Sequence, residues 1–316
     1  MRWTIIAAVT LSIVALAFNT FWVDSRTRAA APRDGGRIID TTVVPANAKI
    51  EGAGPAIVLL HGFGAAINWW DDIAPELATD HQVIRIDLIG HGGTAAPSSG
   101  YAIERQAALV AAILDKFGVE RTTVIGHSMG GEVATALAEL NPERIARLIF
   151  IDSPPIAGAT FTPLTDAYFT RVIGELLSHF QDDRIVRRGL AQGFAPGFPV
   201  PEKFVDDLRQ LTYTAFREAH DGSVAYRRLK APYERLAALK PVPPLLAITG
   251  ALDAIVPPDH LKFIKRVPGS EVAVIEGAGH SPMFENRRKH CSSFGNSCNP
   301  GPDSQPLLAR ADEVIE

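Results

Sequence analysis

Cysteine is scarce: Cys291 and Cys298 are the two in 316 residues. No cysteine or histidine stands near either at the spacing of a zinc site. His290 adjoins Cys291 but is badly placed to complete one, so no structural metal is expected. A disulfide between the two cysteines and a pair of free thiols both stay open. Basic blocks and stripes are missing too. The 31 basic residues are set against 35 acidic ones, a formal net charge of −4, which argues against a nucleic-acid partner. From Pro154 to Pro241 the chain has no continuous apolar strand. The rest is an ordinary globular balance, 47% hydrophobic and 21% charged, with enough length for one large α/β domain or two smaller ones.

One long apolar stretch is present, Trp3 to Val23, with no charge inside it. As a helix at about 1.5 Å per residue it would match the roughly 30 Å core of a bilayer. Trp3, Phe21 and Trp22 stand at its ends, where interfacial aromatics belong. The expectation is an N-terminal membrane anchor over residues 3–23. A signal segment cleaved near Ala29-Ala30-Ala31, with export of the remaining chain, and a buried core helix are the alternatives. The flanking arginines do not fix the side of the membrane, though short anchors of this shape commonly export the domain attached to them. Residues 1–36 thus read as an anchor or signal segment plus a polar linker.

From Arg37 onward the pattern changes. Arg37–Val43 and Ala48–Glu51 read as an antiparallel hairpin at a sheet edge. Short apolar runs then alternate with helical spacing. The strands are Ala56–Leu60, Val83–Leu88, Thr122–Ile125 and Leu148–Ile151. The helices are Asn68–Ala78, Ile103–Phe117 and Glu132–Leu140. Fully apolar strands alternating with helices predict a parallel sheet covered on both faces. The alternation stops at Pro154-Pro155. Helices are expected over Leu164–Phe180, Asp183–Gln192, Lys203–Ala219 and Ser223–Leu239. It resumes with the strand Leu245–Ile248, a helix from Pro258 to Lys265, and the strand Glu271–Ile275. The organisation expected is a core over residues 37–153 and 242–285, interrupted by an all-helical cap over residues 154–241. Residues 286–316 form a polar tail, with a short closing helix possible near Leu307–Ile315.

Gly126-His127-Ser128-Met129-Gly130-Gly131 lies where the third of those strands meets its helix. G-x-S-x-G in that setting puts a serine on a sharp turn with its hydroxyl projecting above the sheet edge. The glycines suit a turn too tight for a Cβ. A serine hydroxyl needs a base within hydrogen-bond reach and a third group to orient that base. His280 comes after the last strand, in Gly279-His280-Ser281-Pro282. Asp253 comes after the strand before it, in Gly250-Ala251-Leu252-Asp253. The chain order Ser128, Asp253, His280 is that of the α/β-hydrolases. Asp152, which also ends a strand, is the rival acid. His61 and His91 belong to Gly-rich loops and are expected to shape them. His127 should point away from Ser128, and Asp87 should bond loop backbone. The expected oxyanion donors are the backbone N–H groups of Met129, after the nucleophile, and Phe63, in His61-Gly62-Phe63-Gly64.

Those motifs, with Asp87-Leu88-Ile89-Gly90-His91-Gly92, resemble the α/β-hydrolase superfamily in its cap-bearing branch of serine esterases and lipases. The resemblance runs from about Arg37 to Glu285. It implies an α/β-hydrolase fold, a mostly parallel sheet flanked by helices with an all-helical cap between two strands. It also implies a Ser-His-Asp hydrolase that needs no metal or cofactor. Haloalkane dehalogenases and epoxide hydrolases of this superfamily use an aspartate nucleophile, so Ser128 argues against both. The expected substrate is a small or medium apolar carboxylic ester. Trp69, Trp70, Phe161, Phe169, Phe194 and Phe198 are candidate pocket walls. A carbon–carbon bond hydrolase with the same triad and a ligand-binding protein that retains it are the alternatives. The polar tail departs from the family, which places a helix directly after the histidine loop.

Overall fold

The computed structural model describes residues 27–156 and 182–285, together with residues 6, 7, 9–17, 174 and 178. Eight strands form one sheet. They are β1 (Arg37–Ile39), β2 (Ala46–Glu51), β3 (Ala56–Leu60), β4 (Gln82–Ile86), β5 (Thr122–His127), β6 (Ile145–Ile151), β7 (Leu245–Gly250) and β8 (Ser270–Ile275). Their spatial order is β1-β2-β4-β3-β5-β6-β7-β8. The β1–β2 and β2–β4 pairings are antiparallel; the others are parallel.

Strand side chains alternate between the two faces, and both faces are apolar because both are covered. Val58 and Leu60 of β3, Val124 of β5, and Leu148 and Phe150 of β6 join one core. Helices α2 (Ile103–Lys116) and α3 (Met129–Leu140) cover it. Ile57 and Leu59, Ile125, and Ile149 and Ile151 join the other core, under Trp69, Trp70 and the short α1 (Ala74–Leu77). Each fully buried aliphatic side chain of this kind contributes about 1.5–3 kcal/mol. Helix α2 stops where expected, at Gly118, whose φ of +62° suits a residue without Cβ.

Between β6 and β7 the described chain is helical. It contains α4 (Asp183–Leu190), α5 (Glu202–Arg209), α6 (Tyr213–Leu229) and α7 (Pro232–Ala237). The helix expected over 164–180 lies outside the described residues. Three expected boundaries are corrected, one where Lys230 and Ala231 divide the helix expected over Ser223–Leu239 into α6 and α7. The chain breaks at Gln210–Thr212, where Thr212 Oγ1 caps α6 by accepting from the Ala215 N–H at 3.0 Å. It does not break near Gly222. A Cβ there would stand 2.8 Å from the Tyr101 carbonyl oxygen, so this glycine serves close packing inside a continuous helix. The helix expected over Pro258–Lys265 is a 3₁₀ turn, Pro258–His260, running into α8 (Leu261–Ile264).

Of the apolar stretch 3–23, residues 6, 7 and 9–17 are helical and exposed, and the rest lie outside the described residues. No helix among the described residues is long and apolar enough to cross a membrane. The anchor expected over residues 3–23 therefore has no support from the structure. Residues 286–316, with both cysteines, also lie outside the described residues. Arg28 sits on the domain, donating to the carbonyls of Gly90, Gly92 and Thr94 after β4.

Strand β3 has β4 on one side and β5 on the other, so the β3–β4 connection runs one way along the sheet and the β4–β5 connection runs back past β3. In open parallel sheets such a switch point opens a crevice at the carboxyl ends of the strands. The His61–Gly64 loop and Ser128 stand at those ends.

Candidate active site

Strand β5 ends at His127 and α3 begins at Met129. Ser128, between them, has φ +49° and ψ −118°, a conformation that side-chain-bearing residues rarely adopt. Such strain costs of order 1–3 kcal/mol and persists where the surroundings over-determine it. Here they do. Ser128 N–H donates to the Ile151 carbonyl at 2.9 Å. A Cβ on Gly126 would lie 2.6 Å from the backbone of Gly130, and one on Gly130 would lie 2.2 Å from the Leu60 carbonyl oxygen. Gly130→Ala should therefore destabilise the protein by about 1–3 kcal/mol or more, because backbone meets backbone and neither can yield. Thermal unfolding checks it, with about 2–4 °C lost per kcal/mol.

The structure brings Ser128, His280 and Asp253 together. His280 Nε2 is 3.0 Å from Ser128 Oγ, and His280 Nδ1 is 2.8 Å from Asp253 Oδ2. A carboxylate can only accept, so Nδ1 carries the proton and Nε2 is left to accept from the serine hydroxyl. Asp253 Oδ1 accepts from the Ile255 and Val256 N–H groups at 2.8 and 2.9 Å. Burial by itself raises the Asp253 carboxyl. The adjoining His280 and the hydrogen bonds outweigh that and hold it below its usual value.

Asp152 is also there, fully buried, with φ +47°. Its Oδ1 accepts from the Gly250 N–H at 2.9 Å. Burial, then the charge of Asp253, push its carboxyl well above the usual range. As a carboxylate its Oδ2 would have no partner among the described residues; protonated, it donates to Asp253. It does not reach the imidazole ahead of Asp253. A carboxyl whose folded pKa is raised holds a proton that the unfolded chain releases above about pH 4. Its stabilising contribution is present below that pH and is lost as pH rises toward the folded pKa. Asp152→Asn keeps both hydrogen bonds without the proton. Its stability relative to the native protein should therefore climb as pH rises above about 4, read as a widening gap in Tm.

The remaining loop residues have bracing roles. Asp87 accepts from the Ile67 N–H at 2.8 Å, from the Gly93 N–H at 2.8 Å and from the Asn47 amide at 2.8 Å. Its burial still pushes it up to about 6. His61 accepts from the Leu88 N–H at 3.0 Å through Nε2, so its Nδ1–H donates to the Gly62 carbonyl. His91 Nδ1–H donates to the Ile89 carbonyl at 3.0 Å. Burial lowers both imidazoles, His91 to about 4, so both are neutral loop braces.

Three features carry no sequence signal. His127, expected to point away from Ser128, lines the same cavity, and its Nε2–H donates to the His280 carbonyl at 2.7 Å and so holds the base's own backbone. Burial lowers it to about 3, which keeps it neutral. Glu285 accepts from the N–H groups of Gly279, Ser281 and Ala195, tying the His280 loop to the segment between α4 and α5. Glu132 and Arg227 form a buried pair at 2.9 Å. His127, Asp152 and His280 have ligand atoms within 4.8 Å of one another. His127 Nε2, Asp152 Oδ1 and both ring nitrogens of His280 are engaged in the hydrogen bonds just described, which join these residues in one polar network.

The Ser128 hydroxyl opens on a cavity of about 270 Å³. Phe63, Trp69, Phe194, Leu208, Phe216 and Val256 supply most of its apolar wall. Trp69 and Phe194 are thus wall residues, as expected. Trp70 is fully buried in the core and Phe198 stacks behind Phe194 at 5.5 Å. Phe161 and Phe169 lie outside the described residues. Met129 is the first residue of α3, so its N–H has no carbonyl one turn back, and both it and Phe63 line the cavity beside Ser128.

Comparison with known proteins places the chain in a family. A pimeloyl-(acyl-carrier protein) methyl ester esterase of Aeromonas hydrophila is 32% identical over 254 residues, covering 74% of this chain and 92% of that protein. A 2-hydroxymuconate semialdehyde hydrolase of a Pseudomonas species is 27% identical over 289 residues, 83% of this chain and 93% of that protein. An esterase structure from Exiguobacterium antarcticum superimposes with a TM-score of 0.71 at 18% identity, over 88% of this chain and 99% of that one, a likeness of fold. The sequence model of the family described as alpha/beta hydrolase fold matches residues 55–287, and the chain belongs to that family.

Proposed function

We propose that the protein is a serine hydrolase of small or medium apolar carboxylic esters, working through an acyl-enzyme. The observation that carries the reading is the hydrogen-bonded series Ser128–His280–Asp253 at the mouth of an apolar cavity. Ser128 Oγ attacks the ester carbonyl carbon as its proton passes to His280 Nε2. Asp253, ionised, holds the ring and stabilises the imidazolium. The Phe63 and Met129 N–H groups receive the developing oxyanion. The tetrahedral adduct then expels the alcohol, whose oxygen takes the proton back from His280. Water, deprotonated by the same imidazole, releases the acid and restores Ser128. The helical segment between β6 and β7 acts as a cap that sets chain length. A cavity of about 270 Å³ suits a short ester.

A second reading, hydrolysis of a carbon–carbon bond in a dienone-type acid, draws on the Pseudomonas relative and uses the same three residues. It calls for a cation free to meet the substrate carboxylate. Among the described residues lining the cavity that cation is Arg227, and Glu132 already neutralises it. This favours the ester. Purified protein should release p-nitrophenol from the butyrate ester. Folded protein without turnover of any short ester would contradict the reading.

A further inference from the structure

An ion pair stands in the wall of a mainly apolar cavity, near Ser223 and His220. Glu132 lies four residues beyond Ser128 on α3, so it stands about 6 Å further along the helix. It is fully buried, and its Oε1 accepts from Arg227 Nη1 at 2.9 Å. Arg227 comes from α6 and keeps 9% of its surface exposed; both residues line the cavity that holds Ser128. Such a pair is a weak source of stability, because apolar residues of the same shape usually serve as well. The contact between α3 and α6 has other support, since Tyr226 Oη donates to Glu139 at 3.0 Å. The pair is also incomplete. Glu132 Oε2 and Arg227 Nε have no hydrogen-bond partner among the described residues. Buried polar groups left in that state cost free energy, so the pair is not held there for stability, and the 9% of Arg227 that stays exposed is the part a cavity ligand can reach.

The charges set the chemistry of what fits. Burial pushes the Glu132 carboxyl up to about 7, against the pull of Arg227 and Ser223. Above that pH the pair sums to zero, so a substrate carboxylate would leave a net negative charge in a closed, low-dielectric space. A plain alkyl chain would displace water and return no bond. A neutral oxygen, carbonyl or hydroxyl, accepts from the exposed part of the guanidinium without adding charge.

Resting on the ester-hydrolase reading, we propose that Glu132 and Arg227 form a specificity subsite for a neutral oxygen, hydroxyl or carbonyl, carried a few bonds from the scissile ester. The test compares four p-nitrophenyl esters of matched length: the hexanoate, its hydroxy and oxo analogues, and the adipate monoester. At about pH 8 the native protein should favour the hydroxy or oxo ester over the hexanoate by about tenfold or more in kcat/KM, with the adipate last. In Arg227→Met with Glu132→Gln the ratio of hydroxy ester to hexanoate should fall to about one, an effect a merely structural pair would not produce. Equal rates for all four esters, or a preference for the adipate, would overturn the subsite. The native ranking decides the matter even where the double variant does not fold. Calorimetric affinities of the same esters for Ser128→Ala read the ranking independently of turnover. Absent turnover then counts against the hydrolase reading alone, and a flat affinity ranking counts against the subsite alone.

Discussion

Ser128→Ala lowers kcat for p-nitrophenyl butyrate by about 10⁴–10⁶-fold, with Tm changed by no more than about 2 °C. The size reflects what the serine contributes. Removing a nucleophile that works as a unit with its base costs about as much as removing the whole unit, and what is left comes from the oxyanion site and substrate binding. The stability expectation comes from the turn. Alanine carries the same Cβ into the same φ of +49°, so the strain that the Gly126 and Gly130 contacts enforce is neither relieved nor increased. Among the described residues, the one side-chain bond lost is that to His280 Nε2, at the cavity mouth. A loss of turnover accompanied by a large fall in Tm would mean that Ser128 is a structural residue of the elbow.

Asp253→Asn lowers kcat by about 10⁴-fold, while Asp152→Asn leaves it within about tenfold. The first figure is the loss seen when an asparagine at this role favours the wrong imidazole tautomer. In this protein Asp253 accepts the Nδ1 proton at 2.8 Å, which leaves Nε2 free to take the serine proton. An asparagine amide turned toward Nδ1 as a donor would force the proton onto Nε2 and block it. Its alternative orientation also loses the charge that stabilises the imidazolium. Asp152 plays a different part. Burial, and then Asp253, push its carboxyl up, and its Oδ1 accepts from the Gly250 N–H, a bond an asparagine amide oxygen makes equally well. The two candidate acids, both at strand ends, are thus told apart by opposite shifts: one is drawn down by a histidine, the other pushed up by burial and then by a carboxylate. Equal losses in the two variants would show that the acid's role is shared.

Much of the frame was legible because it is written locally. Ala56–Leu60 and Leu245–Ile248 are continuous apolar runs, which a sheet covered on both faces requires. Gly118 ends its helix by the expected device. The elbow, with its glycines on either side of Ser128, is a contiguous motif, and Asp253 and His280 come directly after their strands. What escaped is non-local. Gly222 looks like a helix stop until Tyr101 is seen packed against it. The Glu132–Arg227 pair spans 95 residues and the Glu285–Ala195 bond 90, so neither leaves a trace in spacing. His127 reads as a turn residue, since its partner is a backbone carbonyl 153 residues away. The pocket walls Leu208 and Phe216 come from helices whose facing the sequence pattern alone leaves open.

Everything proposed for the site depends on Ser128 being the activated nucleophile of an ester hydrolase. Incubation of the folded protein with a fluorophosphonate, followed by digestion and peptide mass spectrometry, tests it most directly. The expected result is stoichiometric phosphonylation on Ser128, abolished in Ser128→Ala and strongly slowed in Asp253→Asn. Folded protein left unmodified, or modified at a different residue with Ser128 intact, would contradict it.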